Sequence, residues 1–360
     1  MKYRISIIIL VLSSVGFSQN SYTYIQPKML GDGWQTASLE LQHIDTTKIH
    51  HFFAQAKNGK NKLHSILLVK DNKLVIEEYL NKHTIDKQHD LRSATKSIRS
   101  LLVGIAIDKG FISSVNDPIE KYLKSPVPTE NLNKRKSEIT IKHLLTMSTG
   151  WDCNDRDKKS LGQEDKVYKK KDWLQHTVNL PMVNSPGEVS NYCTMGTVIA
   201  AEIVSQASGM SIDKFAKKYL FDPLGISHVS WGHTSKKDVI PSSKRLYMTS
   251  RDMAKIGQLV LNNGKWDGKQ VISKKWINES TTAKTKLREE GYGYLWWNFI
   301  FKVKGRDIPS KTASGNGGQC IIVIPELDMV VVSTGGAYNS KEARLPFLIT
   351  NNVIIPTLLD

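Results

Sequence analysis

The sequence predicts an α+β fold: an antiparallel sheet flanked by helices from the N- and C-terminal parts of the chain, interrupted by an inserted helical region. Three observations predict it. Strand-type runs lie at both ends, at 64–69 and 74–79 and again at 320–324 and 329–333. A long apolar run opens at Leu91 and stops at Gly110, and Ile98, Leu101, Leu102, Val103, Ile105, Ala106 and Ile107 leave it almost no polar face, as in a helix buried within a domain. Between about 111 and 244 the pattern changes to short helices joined by loops, around 139–147, 196–207 and 211–220. The α/β part is therefore expected at about 40–110 and 245–360, with the helical insertion at about 111–244.

The first 18 residues have a basic start at Lys2 and Arg4, an apolar core at 5–12 and small residues Gly16 and Ser18 before Gln19. That order spells a secretory signal peptide cleaved after Ser18, leaving residues 19–360 as an exported chain, periplasmic or secreted. No later stretch has the length of a membrane span, so no transmembrane segment is expected in the mature chain. About 340 residues remain, enough for a sizeable core.

The 360 residues carry a formal net charge of +16. Part of it sits at Lys134-Arg135-Lys136 and Lys169-Lys170-Lys171, read as solvated loops. No nucleic-acid module accompanies the lysines, which excludes nucleic acid as the expected partner and leaves anionic envelope polymers or acidic substrates. The lysine-rich segment 155–172 has little apolar content and reads as a surface excursion.

Asp71-Asn72 between the first two apolar runs marks a β-hairpin. Leu91-Arg92-Ser93-Ala94-Thr95-Lys96-Ser97 then opens the buried helix. Ser93 falls at its N-terminus, where unpaired N–H groups and the positive end of the macrodipole favour developing negative charge. Lys96 shares its face at a spacing of three. Ser-x-x-Lys thus supplies a nucleophile with an amine beside it, in surroundings that desolvate the amine. The same spacing recurs at Ser211-Ile212-Asp213-Lys214, which reads as an ordinary N-cap because an amphipathic, lysine-rich helix follows it. An amphipathic helix is expected over 249–263, strand character over 292–299, and a closing helix over 345–359.

Two further stretches have the composition of site loops. In Pro186-Gly187-Glu188-Val189-Ser190-Asn191-Tyr192-Cys193-Thr194, a turn precedes Tyr192, whose phenol can relay a proton. In Ser314-Gly315-Asn316-Gly317-Gly318-Gln319, glycines before a strand let a substrate lie close and turn a backbone N–H toward an oxyanion. Three cysteines occur, Cys153, Cys193 and Cys320. In an oxidising compartment Cys153 and Cys193 form a candidate disulfide, leaving Cys320 free. The ten histidines show no metal-ligand spacing, so no metal or cofactor is expected, and His50-His51 reads as solvent-facing.

With these stretches in place, the chain resembles the serine β-lactamase-like hydrolases, the class C β-lactamase and penicillin-binding group, over essentially its whole mature length. Ser93-x-x-Lys96 matches that family's first motif, Tyr192 the tyrosine of its Tyr-x-Asn motif, and Asn316-Gly317-Gly318 the motif written Lys-Thr-Gly or His-x-Gly elsewhere. Supporting matches are Ile141-Lys142-His143-Leu144-Leu145 with Ser148-Thr149-Gly150, Phe221-Asp222-Pro223-Leu224-Gly225, and Gly291-Tyr292-Gly293-Tyr294-Leu295-Trp296-Trp297. The resemblance implies a β-lactamase/transpeptidase-like fold. It also implies Ser93 as acylated nucleophile, Lys96 with Tyr192 as proton shuttle, and the N–H groups of Ser93 and Gln319 as oxyanion hole. Asn316, Gly317, Gly318, Thr194, Trp296 and Trp297, with Tyr294, are then candidates to contact substrate.

Two departures bear on substrate. Thr194 replaces the family's asparagine, and Asn316 replaces a cationic or titratable residue, removing the obvious partner for a substrate carboxylate. Both resemble the carboxylesterases and the 6-aminohexanoate-dimer hydrolase within the family, which points to a small-molecule or peptide ester or amide as substrate. The alternatives are a peptidoglycan D-peptidase or β-lactamase and, in another class, a catalytically inactive binding module on the same fold.

Overall fold

The computed structural model describes residues 22–233 and 239–359, so the leader expected at 1–18 lies outside the described residues. In chain order its principal strands are β1 (Gln35–Thr36), β2 (Leu63–Lys70), β3 (Lys73–Tyr79), β4 (His89–Asp90), β5 (Val229–Gly232), β6 (Arg245–Met248), β7 (Thr285–Leu287), β8 (Glu290–Tyr292), β9 (Trp297–Asn298), β10 (Lys311–Gly315), β11 (Gln319–Ile324) and β12 (Met329–Gly335). The longer helices are α1 (Thr46–Asn58), α2 (Ala94–Asp108), α3 (Thr194–Ser208), α4 (Ser250–Leu261) and α5 (Lys274–Thr281).

Nine strands form one sheet in the order β1-β3-β2-β12-β11-β10-β9-β8-β7. Only the β1–β3 pair is parallel. The hairpin signal at Asp71-Asn72 is realised by two consecutive left-handed residues, with φ of +49° and +60°, the conformation a tight two-residue turn requires. The central strands are apolar on both faces because both are covered. On β2, Leu67 and Val69 face the core that holds α2 and α4. Ile66 and Leu68 face a second core with Ile49 and Phe53 of α1 and with Ile349, Ile354 and Ile355 near the C-terminus. The expected closing helix is a broken one: an α-turn at Leu345–Ile349, a π-turn at Thr350–Ile354 and a 3₁₀ turn at Ile355–Thr357.

α2 runs through the middle of the molecule. Residues 94–106 are all buried, and Gly104 lets the Trp276 indole of α5 approach to where a Cβ would stand 2.1 Å from it. Helix α4 starts where expected, capped by Thr249, but it is buried around more of its circumference than an amphipathic surface helix would be. Arg251 pairs with Glu77 at 2.7 Å and Asp32 at 2.9 Å, and Lys255 Nζ donates to the Gly225 carbonyl at 2.9 Å. The small sheet β4-β6-β5 ties the segment leading into α2 to the end of the helical region.

Two expectations about the surface are corrected. Lys136 is buried rather than solvated, because its ammonium caps the Val178 carbonyl at 2.7 Å. The segment 155–172 is not a surface excursion throughout: Val167 and, just beyond it, Trp173 are core residues. Among the described residues no helix is long and apolar enough to cross a membrane.

Candidate active site

Ser93 stands at the N-cap of α2, directly after Arg92, whose φ of +51° is left-handed for a residue with a side chain. The turn is held from both sides. Arg92 N–H donates to Asp90 Oδ1 at 2.9 Å, Asp90 is paired with Arg245 at 2.8 Å, and Leu91 N–H donates to Leu246 O at 2.9 Å. The Ser93 hydroxyl does not cap the helix. It accepts instead from Lys96 Nζ at 3.0 Å, and Lys96 is 4% exposed.

Ser211 provides the comparison within the chain. It also stands at an N-cap position, but its hydroxyl makes no capping bond, so the ordinary-cap reading is corrected. What separates the two serines is the lysine: Lys214 is exposed where Lys96 is buried.

The glycine-rich stretch reaches Ser93 through Gly315. A Cβ at that position would lie 2.2 Å from the Leu91 carbonyl oxygen and 3.2 Å from Ala94 N, so only glycine lets β10 touch the backbone that carries the serine. Asn316-Gly317-Gly318 then reverses the chain, with φ of +98° and +94° at the two glycines. Gln319 faces Gly315 across the hairpin and is not among the residues lining the Ser93 cavity, to which this loop contributes Asn316. The Gln319 side chain is buried and donates to the Gly335 carbonyl at 2.6 Å.

The opposite wall comes from the segments around Tyr192 and Asp155. A disulfide joins Cys153 to Cys193, Cys320 is free and buried, and Asp155 N–H donates to the Tyr192 carbonyl at 2.8 Å. The Tyr192 ring stacks on Trp297 with centroids 6.0 Å apart, and Lys96 Nζ lies 5.0 Å from its centre. Between the walls a cavity of about 150 Å³ runs inward from Ser93, lined by Lys96, Arg99, Glu164, Thr194 and Asn316 among others. A serine hydroxyl, a buried amine and Asn316 of the glycine turn thus share one cavity, with the Tyr192 ring beside the amine, an arrangement that can serve acyl transfer.

Comparison with known proteins places this arrangement. The family model described as Beta-lactamase matches residues 60–345. The chain belongs to the Beta-lactamase family. Members of this family are serine hydrolases acting on amide or ester bonds. The 6-aminohexanoate-dimer hydrolase of Paenarthrobacter ureafaciens is 23% identical over 291 residues, 74% of this chain and 71% of that protein. A solved structure from Bacillus anthracis, proposed to be a 6-aminohexanoate-dimer hydrolase, superposes with a TM-score of 0.70 at 19% identity over 93% of this chain and 90% of its own. A class C beta-lactamase superposes with a TM-score of 0.63 at 14% identity, covering 89% and 97%. The β-lactamase/transpeptidase-like fold expected from the motifs is the fold observed.

Within that fold the residues expected to contact substrate divide. Thr194 and Asn316 line the cavity. Asn316 spends its amide on the neighbouring loop, donating to Asn339 Oδ1 at 2.7 Å and accepting from Asn339 N–H at 2.9 Å. Gly317 is covered by the Tyr338 ring, which a Cβ would meet at 2.6 Å, and Gly318 packs toward Pro346. Of the aromatic candidates, Trp297 lies against Tyr192, whereas Trp296 and Tyr294 are buried in the core and are not among the residues lining the Ser93 cavity. Their burial follows from the left-handed kink at Leu295, φ +64°, held by its N–H on the Leu145 carbonyl.

Three site residues escaped the sequence reading. Asp155 accepts from Thr194 N–H at 2.8 Å and Thr194 Oγ1 at 2.6 Å, and the same hydroxyl reaches Glu164 Oε2 at 3.1 Å. Arg99, one turn beyond Lys96, is held by Thr197 Oγ1 and the carbonyls of Ser242 and Lys244 at 2.8–2.9 Å. Its buried Nε has no hydrogen-bond partner, and burial pulls its pKa down to about 10. No local spacing signals any of the three, because each is defined by partners distant in the chain.

Burial, helped by the Glu164 charge and opposed by Lys96, pushes the Asp155 carboxyl up to about 6. A carboxyl whose folded pKa is raised holds its proton better in the native state. Its contribution to stability is therefore complete below its ordinary value near 4 and is lost as pH rises through 6. Asp155→Asn should flatten this part of the Tm-against-pH curve, and the wild type should lose on the order of 3 kcal/mol more than the variant between pH 4 and pH 7. Parallel curves for the two proteins by scanning calorimetry would remove Asp155 as the cause.

Proposed function

We propose that this protein is an exported serine hydrolase that cleaves an ester or amide through an acyl-enzyme on Ser93. The observation that carries the reading is the 3.0 Å contact between Ser93 Oγ and the buried Lys96 Nζ. The hydroxyl proton passes along this line to the Lys96 amine as Oγ attacks the substrate carbonyl carbon. The resulting oxyanion is received by the N–H groups of Ser93 and Gln319, and the start of α2 adds its favourable dipole. Collapse breaks the bond to the leaving alcohol or amine, which takes its proton from the Lys96 and Tyr192 pair. Water then attacks the acyl-enzyme by the same route and releases the acid. Export and the charge of +16 fit work beside anionic envelope polymers.

A second reading gains from an observation the sequence did not offer. Asn316 leaves the strand motif without a cation, but Arg92 and Arg99 line the same cavity, and a guanidinium is the preferred partner of a carboxylate. That favours a carboxylate-bearing amide, as in a D-peptidase or β-lactamase. Turnover of a short p-nitrophenyl ester beside a chromogenic cephalosporin separates the two. The ester should be hydrolysed and the cephalosporin spared; a cephalosporin rate above the ester rate would replace the first reading by the second.

A further inference from the structure

Away from the Ser93 cavity, three histidines that are far apart in sequence come together. His64 is on β2, His83 is in the loop after β3, and His89 is on β4. His64 Nδ1 lies 2.7 Å from His89 Nε2, the His64 and His83 rings stack at 3.6 Å, and one ring nitrogen from each residue lies within 4.8 Å of the other two. His64 and His83 are partly exposed, which gives an ion a way in. We propose that His64, His83 and His89 bind one zinc-class divalent ion, which clamps the segment 80–90 onto β2.

The chemistry of the donors fits this class. Imidazole nitrogen suits zinc, copper and nickel, and three histidines leave a coordination position for water. Zinc–nitrogen bonds of about 2.0–2.1 Å at tetrahedral angles put ligand nitrogens roughly 3.3 Å apart. Reaching that geometry asks the His64–His89 pair to open slightly and the His83 ring to turn inward. Burial pushes His64 and His89 down to about 4 and holds His83 below its ordinary value, the direction that favours the uncharged ring a metal needs. Lys87 adds positive charge to the same neighbourhood and Asp90 negative charge at His89.

The location explains why a clamp matters. His89 precedes Ser93 by four residues. A Cβ on Gly336 would stand 2.9 Å from the His64 ring, and the next residue, Ala337, bridges to Gly317 in the glycine turn. An ion here ties together the two backbone segments that meet at the nucleophile.

The test uses the full chain without a histidine tag, stripped with a chelator and dialysed against ZnSO4. Expected are saturable uptake of one Zn2+ per chain, a rise in Tm on loading, and intense visible absorption when Co2+ replaces Zn2+. His83→Gln, a loop change, and separately His89→Gln should each weaken uptake at least about 10-fold and abolish the Tm rise. Metal-free His83→Gln should keep the wild-type Tm and circular dichroism. Uptake that does not saturate, or that is unchanged in both variants, would overturn the assignment and leave the three rings as a hydrogen-bonded, stacked cluster.

Discussion

Ser93→Ala is expected to lower ester turnover by about 10,000-fold or more while shifting Tm by no more than about 3 °C, the scale of one hydrogen bond in a chain of this size. The hydroxyl contributes no helix cap, so its removal costs little structure, whereas in the proposed mechanism it is the atom on which the acyl group forms. Lys96→Ala should cost a comparable factor, and Ser93→Ala/Lys96→Ala should be no worse than Ser93→Ala alone, because residues that act as one unit do not add. Steady-state rates of the three variants at equal concentration check this. A double variant markedly slower than either single one would mean that Ser93 and Lys96 act independently.

Gly315→Val should be the most damaging single change to the scaffold of the site. The added Cβ would stand 2.2 Å from the Leu91 carbonyl and 3.2 Å from Ala94 N, both backbone atoms that cannot rotate away. Relief requires β10 or the Leu91–Ala94 turn to move. The expected cost is about 3 kcal/mol or more, read as a Tm lower by roughly 6 °C, with turnover reduced further in the fraction that folds because the turn carrying Ser93 is displaced. Thermal melts and rates on the soluble variant decide it. Wild-type Tm with full turnover would show that β10 does not set the position of the nucleophile.

The parts of this molecule legible in its sequence are those governed by local rules. Two turn residues at Asp71-Asn72 gave the hairpin away, the apolar run after Ser93 announced a buried helix, and a spacing of three put Lys96 beside the serine. Tertiary partners hid the rest. Segment 155–172 looks solvated by composition, yet the Cys153–Cys193 link holds its start near Tyr192 and Thr194, where the half-buried Asp155 accepts from Thr194. Arg99 interrupts an apolar helix and is tolerated there because carbonyls at 242 and 244 receive it. Trp296 and Trp297 are adjacent, but the kink at Leu295 sends one into the core and leaves the other against Tyr192. The three histidines come from segments 19 and 6 residues apart, a separation that no metal-ligand spacing rule reads.

In the proposed mechanism Ser93 forms the covalent bond. Reaction with a fluorophosphonate probe, followed by intact mass and peptide mapping, tests it most directly. One adduct per chain is expected, on Ser93, absent in Ser93→Ala and formed more slowly in Lys96→Ala. An adduct on another serine, or none on correctly folded wild type, would contradict it.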